Sequence, residues 1–195
     1  MFSGIVETTT IVSAVARSGH CMRVEFQNPA GWRMRVGESV AVDGICSTIV
    51  LASKELFAVE YMPQTLKKTT ASSLKKGTSV NLERSLVYGK RIHGHFTMGH
   101  VDARAMILTL SEHGRSRLMT IRMPRGLSKY VVARGSVAIH GVSLTIAKKT
   151  QGAFVVALIP HTLKVTNLGQ LKSGDEVNVE CDMLARYGLA GVRRR

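Results

Sequence analysis

The sequence predicts an all-β protein built from two tandem, homologous, closed six-stranded antiparallel β-barrels with a short C-terminal helix. The first observation behind this prediction is an internal repeat. Residues 39–49 read SVAVDGICSTI and residues 136–146 read SVAIHGVSLTI, with six of eleven positions identical at an offset of 97. The second is a series of short β-branched runs separated by Gly and charged residues at a spacing of about 8–12 residues, which is typical of small antiparallel sandwiches and barrels.

The repeat extends over most of the chain. Residues 59–83 and 156–180 share 12 of 25 positions at the same offset, and FSGIVE near the N-terminus aligns with TMGHVD at an offset of 95. Internal self-similarity of this kind sets the architecture before any single element is assigned. It predicts a first barrel at 1–90, a second barrel at 91–187 and a basic C-terminal tail at 188–195.

Each unit contains runs such as SVAVDG, LFAVEY and VNLE in the first and SVAIHG, FVVALIP and VNVE in the second. Alternating apolar and polar residues in VNLE and VNVE indicate strands with one buried face. Six short strands in about 90 residues predict a closed barrel, since closure removes exposed strand edges.

Two stretches are predicted to be helical. Residues 124–135 place apolar side chains on one face and end at Gly135, a common stop signal. Residues 182–191 open with Asp182 as a candidate cap, although two glycines weaken this helix.

The composition excludes several classes of protein. No stretch approaches the roughly 18–20 apolar residues of a membrane helix, and the N-terminus lacks the basic and apolar segments of a signal peptide. The three cysteines are far apart, without CxxC or metal-like spacing, which favours reduced thiols, a cytoplasmic location and no metal site.

The chain has a net charge of +14. Such charge attracts phosphate backbones, so a basic nucleic-acid-binding barrel is an alternative function. A steep salt dependence of oligonucleotide binding would be its simple test. However, the basic residues are scattered, and nine Phe and Tyr with one Trp leave few stacking side chains. Nucleic acid is therefore the less favoured partner.

Several motifs together resemble the riboflavin synthase family. MFSGIVE at the N-terminus is similar to its MFTGIVE opening, and DGICST and HGVSLT are similar to its paired GVCLT and GVSLT motifs. MPQTL and IPHTL resemble its paired PETL motifs, and HGHFTMGHVD resembles GGHxxxGHVD at the barrel junction. The match spans essentially the whole chain in the right order and spacing.

The resemblance implies a reaction between two molecules of 6,7-dimethyl-8-ribityllumazine. One gives a four-carbon unit to the other, forming riboflavin and 5-amino-6-ribitylamino-uracil without a cofactor. It also implies one lumazine per barrel, a homotrimer whose active site lies between the N-barrel of one subunit and the C-barrel of another, and leaves open an association with lumazine synthase. Two similar pockets suit a reaction between two copies of one substrate, because holding the rings together replaces a bimolecular encounter.

The resemblance places ligand contacts in three matching segments of each barrel. For the N-barrel they are Gly4, Ile5 and Val6; Cys46, Ser47 and Thr48; and Glu60, Tyr61, Met62, Pro63, Gln64 and Thr65. For the C-barrel they are Gly99, His100 and Val101; Ser143, Leu144 and Thr145; and Ala157, Leu158, Ile159, Pro160, His161 and Thr162. Backbone groups would hold the lumazine ring and the threonine hydroxyls the ribityl chain, although threonine also simply favours strands.

Four residues are candidates for the chemistry. Cys46 could act as a nucleophile or be a small buried apolar residue, and Ser143 at the matched position has the same two interpretations. His100 suits removal of a proton from the C7 methyl group, or it positions the ligand. Asp182 matches an acidic residue near the family's active site and is equally a helix cap. His95 is predicted to be structural.

The remaining contacts come from single positions. Phe2 should cover the site, Ser3 keeps the hydroxyl of a family Thr, and Ser39 either contacts ligand or makes strand-edge hydrogen bonds. Arg134 replaces a Lys that reaches into the neighbouring subunit, which keeps the charge and changes the geometry.

Three departures from the family pattern, Ser47, Gln64 and His140, support the alternative of a non-catalytic lumazine- or flavin-binding protein. Such binders tend to keep one good pocket, whereas both copies here retain their core motifs, which favours the enzyme.

Overall fold

The structure is a computed structural model that describes the backbone of residues 1–192 and the side chains of residues 1–191. The first barrel contains β1 (Thr8–Ser18), β2 (Cys21–Gln27), β3 (Ser39–Val42), β4 (Ile45–Ala52), β5 (Leu56–Tyr61), α1 (Pro63–Lys68) and β6 (Ser79–Arg84). The second contains β7 (Ala103–His113), β8 (Ser116–Arg122), β9 (Ser136–Ile139), β10 (Val142–Lys149), β11 (Ala153–Leu158), α2 (Pro160–Val165) and β12 (Glu176–Cys181), and α3 (Met183–Val192) comes after it.

Both barrels close with the same strand order, so the predicted fold class is confirmed. The order is β1-β2-β5-β4-β3-β6 in the first barrel and β7-β8-β11-β10-β9-β12 in the second, with antiparallel pairing throughout. Equivalent strands begin 95 residues apart at Thr8 and Ala103 but 97 apart at Ser39 and Ser136. The C-barrel therefore has two additional residues between β8 and β9.

Each barrel encloses its own apolar core. The strands alternate, so that every second side chain points inward, as in β2, where Met22, Val24 and Phe26 are fully buried. Phe26 stacks on Phe57 with ring centroids 5.1 Å apart. Burial of these side chains from all six strands, together with the absence of an unpaired edge in the closed sheet, stabilises each barrel.

The prediction of a helix at 124–135 was wrong. This segment is a series of turns, in which Leu127 N–H donates to Pro124 C=O and Tyr130 N–H to Leu127 C=O, each three residues back. The backbone reaches positive φ at Gly126 (+81°) and Arg134 (+68°), values that a helix cannot contain. The two additional residues of the C-barrel lie in this connection.

Two short helices were missed by the sequence analysis. α1 and α2 begin at Pro63 and Pro160, and a 3₁₀ turn comes after each, at Thr70–Ser73 and Asn167–Gln170. Proline suits the first helical position because its missing N–H would be unpaired there anyway. The paired PxTL motifs are thus helix starts.

The C-terminal helix α3 confirms the predicted helix, with Leu184 N–H donating to Asp182 Oδ1 over 2.9 Å as in an N-cap. The helix runs across the boundary predicted at residue 187 and takes in residues 188–192 of the predicted tail. Residues 193–195 of that tail lie outside the described residues. No helix within residues 1–192 has the length and hydropathy needed to span a membrane.

The two barrels contact each other through reciprocal asparagines. Asn81 of β6 donates its side-chain amide to the His140 carbonyl over 2.9 Å, and Asn178 of β12 donates to the Asp43 carbonyl over 2.9 Å. Both asparagines are buried. The two barrels are therefore related by an approximate two-fold axis, with Asp43 and His140 at equivalent turn positions.

Candidate functional site

Each half of the chain has an extended segment before its first strand. We call residues 1–7 the first arm and residues 95–101 the second arm. The arms pair antiparallel: Phe2 N–H donates to the Thr97 carbonyl over 2.8 Å, and Thr97 N–H donates back over 3.0 Å. Phe2 is buried, so it packs within the protein as well as joining the arms.

Each arm then continues to the opposite barrel. The Gly4 carbonyl accepts a hydrogen bond from Ser143 N–H over 2.7 Å, and the Gly99 carbonyl accepts one from Cys46 N–H over 2.8 Å. Val6 packs against the core of the C-barrel. Val101 packs against the core of the N-barrel.

This exchange corrects the sequence-based assignment of arms to barrels. The segment containing Gly4, Ile5 and Val6 lies beside Ser143, and the segment containing Gly99, His100 and Val101 lies beside Cys46. The assignment was wrong because position along the chain indicates which barrel an arm precedes. It does not indicate which barrel the arm pairs with.

Glycine is required at both crossing points. A Cβ on Gly4 would lie 2.7 Å from the Ser143 Cβ, and one on Gly99 would lie 2.6 Å from the Cys46 Cβ. Both glycines also have positive φ, +74° and +75°. The arm backbones can approach these strands only because no side chain intervenes.

A buried glutamate holds each arm to its own barrel. Glu83 accepts hydrogen bonds from Ser3 N–H and Oγ over 2.6 and 2.7 Å, and from Gly4 N–H over 3.0 Å. Glu180 accepts from two amides of the second arm over 2.6 and 3.0 Å. Burial raises the pKa of both carboxyl groups, and the hydrogen bonds oppose this rise. Each arm is therefore hydrogen-bonded to its own barrel through a glutamate, while its glycine carbonyl accepts a hydrogen bond from a strand of the other barrel.

The predicted residues of β4 divide between two faces. Cys46 is half-buried and Thr48 exposed on the outer face, whereas Ser47 is buried inside the barrel. Ser47 Oγ donates to the Ile45 carbonyl over 2.9 Å and lies 3.2 Å from the Tyr61 hydroxyl. Burial raises the pKa of Tyr61 above its ordinary value. Ser47 thus gives the buried Tyr61 hydroxyl a hydrogen-bond partner.

The C-barrel repeats this division with apolar residues. Ser143 and Thr145 face outward from β10, while Leu144 and Leu158 belong to the barrel core. The structure therefore places four of the predicted ligand contacts inside the barrels: Ser47, Tyr61, Leu144 and Leu158.

His95 makes a close side-chain contact with Ser143. Its Nδ1 lies 2.7 Å from Ser143 Oγ, and its Nε2 is buried with no hydrogen-bond partner among the described residues. Burial lowers the pKa of His95, and the nearby charge of Asp182 opposes this effect. Ser143 and His95 are thus brought together, with Asp182 near enough for its charge to act on the imidazole, and the prediction of a structural role overlooked the contact with Ser143. The HGH motif at residues 93–95, where the second arm begins, was the available signal.

His100 and the helix-start segments remain at the surface. His100 is exposed in the second arm, next to the Gly99 that contacts Cys46. Residues leading into α1 and α2 are largely exposed, with Met62 at 60% and Ile159 at 55%. The exposed members of these segments are Glu60, Met62, Pro63, Gln64, Ala157, Ile159, Pro160 and His161, with Thr65 and Thr162 half-buried.

The remaining predicted residues lie elsewhere. Ser3, Ile5 and Ser39 line a cleft of about 690 Å³ beside the N-barrel. Arg134 is exposed at the end of the β8–β9 connection, where its N–H donates to the Ile146 carbonyl over 2.8 Å. Among residues 1–191, no cluster of three His, Cys, Asp or Glu side chains is suited to a metal ion.

Two like barrels thus each present outward polar residues, at Cys46 and at Ser143, beside an arm from the other half of the chain. The sequence matches the lumazine binding domain twice, over residues 3–85 and 98–182. It is 38% identical to the riboflavin synthase of Bacillus subtilis over 188 residues, covering 96% of this chain and 87% of that protein. It is also 38% identical to the riboflavin synthase of Brucella abortus over 194 residues, covering 96% of each.

A solved structure gives the same fold. LumP complexed with 6,7-dimethyl-8-(1'-D-ribityl) lumazine superposes with a TM-score of 0.84 at 24% identity, covering 92% of this chain and 98% of LumP. The chain therefore belongs to the lumazine-binding-domain family that includes these riboflavin synthases.

Proposed function

We propose that this protein is a riboflavin synthase. It would convert two molecules of 6,7-dimethyl-8-ribityllumazine into riboflavin and 5-amino-6-ribitylamino-uracil by moving a four-carbon unit between them. We call the outer face of β4 at Cys46 and that of β10 at Ser143, each with the arm that pairs there, the two outer edges. This matched pair, each completed by the arm of the other half, is the observation that carries the proposal. Two such edges suit one reaction between two copies of one substrate.

Binding would use groups that the outer edges leave available. Thr48 and Thr145 are exposed beside the two arm contacts, and their hydroxyls can hydrogen-bond a ribityl chain. The threonines that open α1 and α2, Thr65 and Thr162, can add further hydroxyl contacts. Backbone groups of the arms would hold the polar edge of the ring.

The chemistry would begin with loss of a proton from the C7 methyl group of one lumazine. His100 is exposed next to Gly99 and would accept this proton, or position the ring for its transfer. Cys46 or water would add to C7 of the other lumazine, and the Ser143 hydroxyl is the alternative nucleophile. The matched Cys and Ser would give the two lumazines different surroundings, as donor and acceptor.

We also propose a homotrimer, in which the N-barrel of one subunit faces the C-barrel of another. α3 exposes Leu184 and Tyr187 at 69% and 68%, and these side chains are available for contact between subunits. Arg134 would reach toward the neighbouring site. A cytoplasmic location is consistent with the three free cysteines, and an association with lumazine synthase remains part of this proposal.

The test is to mix the purified protein with 6,7-dimethyl-8-ribityllumazine alone and monitor riboflavin by absorbance and fluorescence. We expect turnover without added cofactor, reduced about 100-fold or more in His100→Ala, which is typical of a lost general base. His113→Ala, in an exposed hairpin, is the matched control. Tight lumazine binding without riboflavin would instead identify a non-catalytic binder. If the protein shows no lumazine binding and no turnover, both functions are contradicted.

A further inference from the structure

The cleft beside the N-barrel shares only Ser3, Ile5 and Ser39 with the predicted ligand contacts. Its walls come from the first arm, the β2–β3 connection at residues 28–38 and the linker at residues 85–94. Its volume is about 690 Å³, which is in the range of small-molecule sites. Most of its lining lies outside the segments predicted to contact lumazine.

The cleft is open because the two barrels continue differently after their last strand. After β12 the chain forms α3, from which Arg186 pairs with the buried Asp102 and lies 5.7 Å from the Tyr130 ring. After β6 the chain runs on as a linker that forms no helix over residues 85–94. The side of the N-barrel that corresponds to the α3 position is therefore left as a groove.

The acidic groups of the cleft already have partners. Glu7 forms an ion pair with Arg84 at 2.5 Å, and the Arg84 guanidinium lies 4.4 Å from the Trp32 ring centroid. Glu83 is occupied by the first arm. Glu38 accepts a hydrogen bond from Arg35 N–H over 3.2 Å. Glu7 is therefore balanced by Arg84, whereas Glu83 and Glu38 bond to neutral backbone or hydroxyl groups and form no ion pair among the described residues.

Three basic side chains of the cleft, in contrast, have no ion-pair partner among the described residues. Arg33, Lys90 and Arg91 line the cleft and are exposed, and no carboxylate of residues 1–191 lies within salt-bridge distance of any of them. Three cations around one concave site raise the local concentration of anions. Guanidinium groups also present paired donors that match the geometry of a phosphate.

We propose that this cleft binds a phosphate group through Arg33, Lys90 and Arg91. The ligand class is a phosphate dianion, either free or as the monoester of a small molecule. The proposal does not depend on the proposed reaction, since neither lumazine nor turnover enters it.

The first test is a calorimetric titration of the full-length protein with inorganic phosphate at low salt. We expect the double variant Arg33→Ala/Arg91→Ala to weaken binding at least about tenfold, the effect of losing one charge-assisted hydrogen bond. The control Lys67→Ala/Lys68→Ala removes the same charge from the last turn of α1 and should bind like the parent protein. If the first variant does not fold, Lys90→Glu supplies the same test with one substitution.

The second test distinguishes the two sources of phosphate by comparing riboflavin with flavin mononucleotide, which differ by one phosphate. Tighter binding of the mononucleotide, lost in Arg33→Ala/Arg91→Ala, would identify a phosphate monoester. Equal affinities together with measurable phosphate binding would identify free phosphate. No phosphate binding, or equal weakening in both double variants, would overturn the proposal, since general surface charge would then explain any attraction.

Discussion

The outer edges at Cys46 and Ser143 have the same backbone hydrogen bonding but different side chains. Both strands donate an N–H to the carbonyl of a glycine in the opposite arm, over 2.8 and 2.7 Å. Ser143 also hydrogen-bonds His95, whereas within residues 1–191 the Cys46 thiol hydrogen-bonds no histidine. A duplicated fold thus supplies two like surfaces, and a few side chains make them unequal, which is what a donor and an acceptor of one compound require.

The largest expected effect comes from blocking the arm crossings. Gly99→Ala and Gly4→Ala would each place a methyl group against the facing strand, 2.6 Å from the Cys46 Cβ or 2.7 Å from the Ser143 Cβ. We expect each to lower the free energy of unfolding by about 3 kcal/mol or more, measured by urea denaturation. Lumazine binding should be lost first at the barrel whose edge is blocked.

The control for this comparison is Gly19→Ala. Gly19 has a similar positive φ of +57° and nothing within 4 Å of its Cβ position in the described part of the chain. It should cost only about 1–2 kcal/mol, the penalty of the backbone conformation itself. Equal costs at all three glycines would mean that the arms do not approach the strands closely.

A smaller difference is expected at the contact between barrels. Asn81→Asp would remove the donor to the His140 carbonyl and add a carboxylate beside Asp43, whose Oδ1 lies 2.8 Å from Asn81 N. Asn178→Asp would place its carboxylate beside the imidazole of His140, whose Nδ1 lies 3.4 Å from Asn178 N. Both lose a buried hydrogen bond, at about 1–3 kcal/mol.

We expect Asn81→Asp to be the more destabilising of this pair, because its new carboxyl group would lie close to the Asp43 carboxyl group and the two would repel each other. Chemical denaturation of the two variants at one pH would measure the difference. Equal losses in the two variants would show that Asp43 and His140 are electrostatically equivalent.

The architecture could be predicted from the sequence because two similar stretches of one chain are expected to fold alike. The matched motifs at 39–49 and 136–146 predicted two equal barrels, and both barrels have the same strand order. The arm exchange could not be predicted, since pairing across an approximate two-fold axis depends on contacts between distant segments. The turns at 124–135 were missed because their apolar spacing suits a helix, while positive φ at Arg134 has no clear signal in sequence.

The sequence analysis named positions for the candidate site but did not separate the residues that face outward from those inside the barrels. Period-two alternation in β4 and β10 already implied that neighbours of Cys46 and Ser143 would point inward, as Ser47 and Leu144 do. Ser47 and Leu144 were nevertheless predicted as ligand contacts, because they belong to the family motifs. The open cleft depends on the path of the linker after β6, which no local pattern in the sequence reveals.

The smallest expected effect concerns the pH dependence of stability. The pKa of His95 is lowered in the folded state by burial, so the unfolded chain binds more protons as the pH falls below about 6.5, the usual histidine value. The stability associated with His95 is therefore present above that pH and is lost as the pH falls through the folded-state pKa. Thermal unfolding between pH 7.5 and 5.5 should show a smaller acid-induced loss for His95→Gln than for the parent protein.

The carboxyl groups of Glu83 and Glu180 act in the opposite direction, because their raised pKa values make folding take up protons as the pH falls. They are common to both proteins, so the difference between the two profiles isolates His95. His113→Gln, in the exposed β7–β8 hairpin, should match the parent profile. If His95→Gln and the parent lose stability in parallel, the ring beside Ser143 is not shielded from solvent, and the two edges differ only in Cys against Ser.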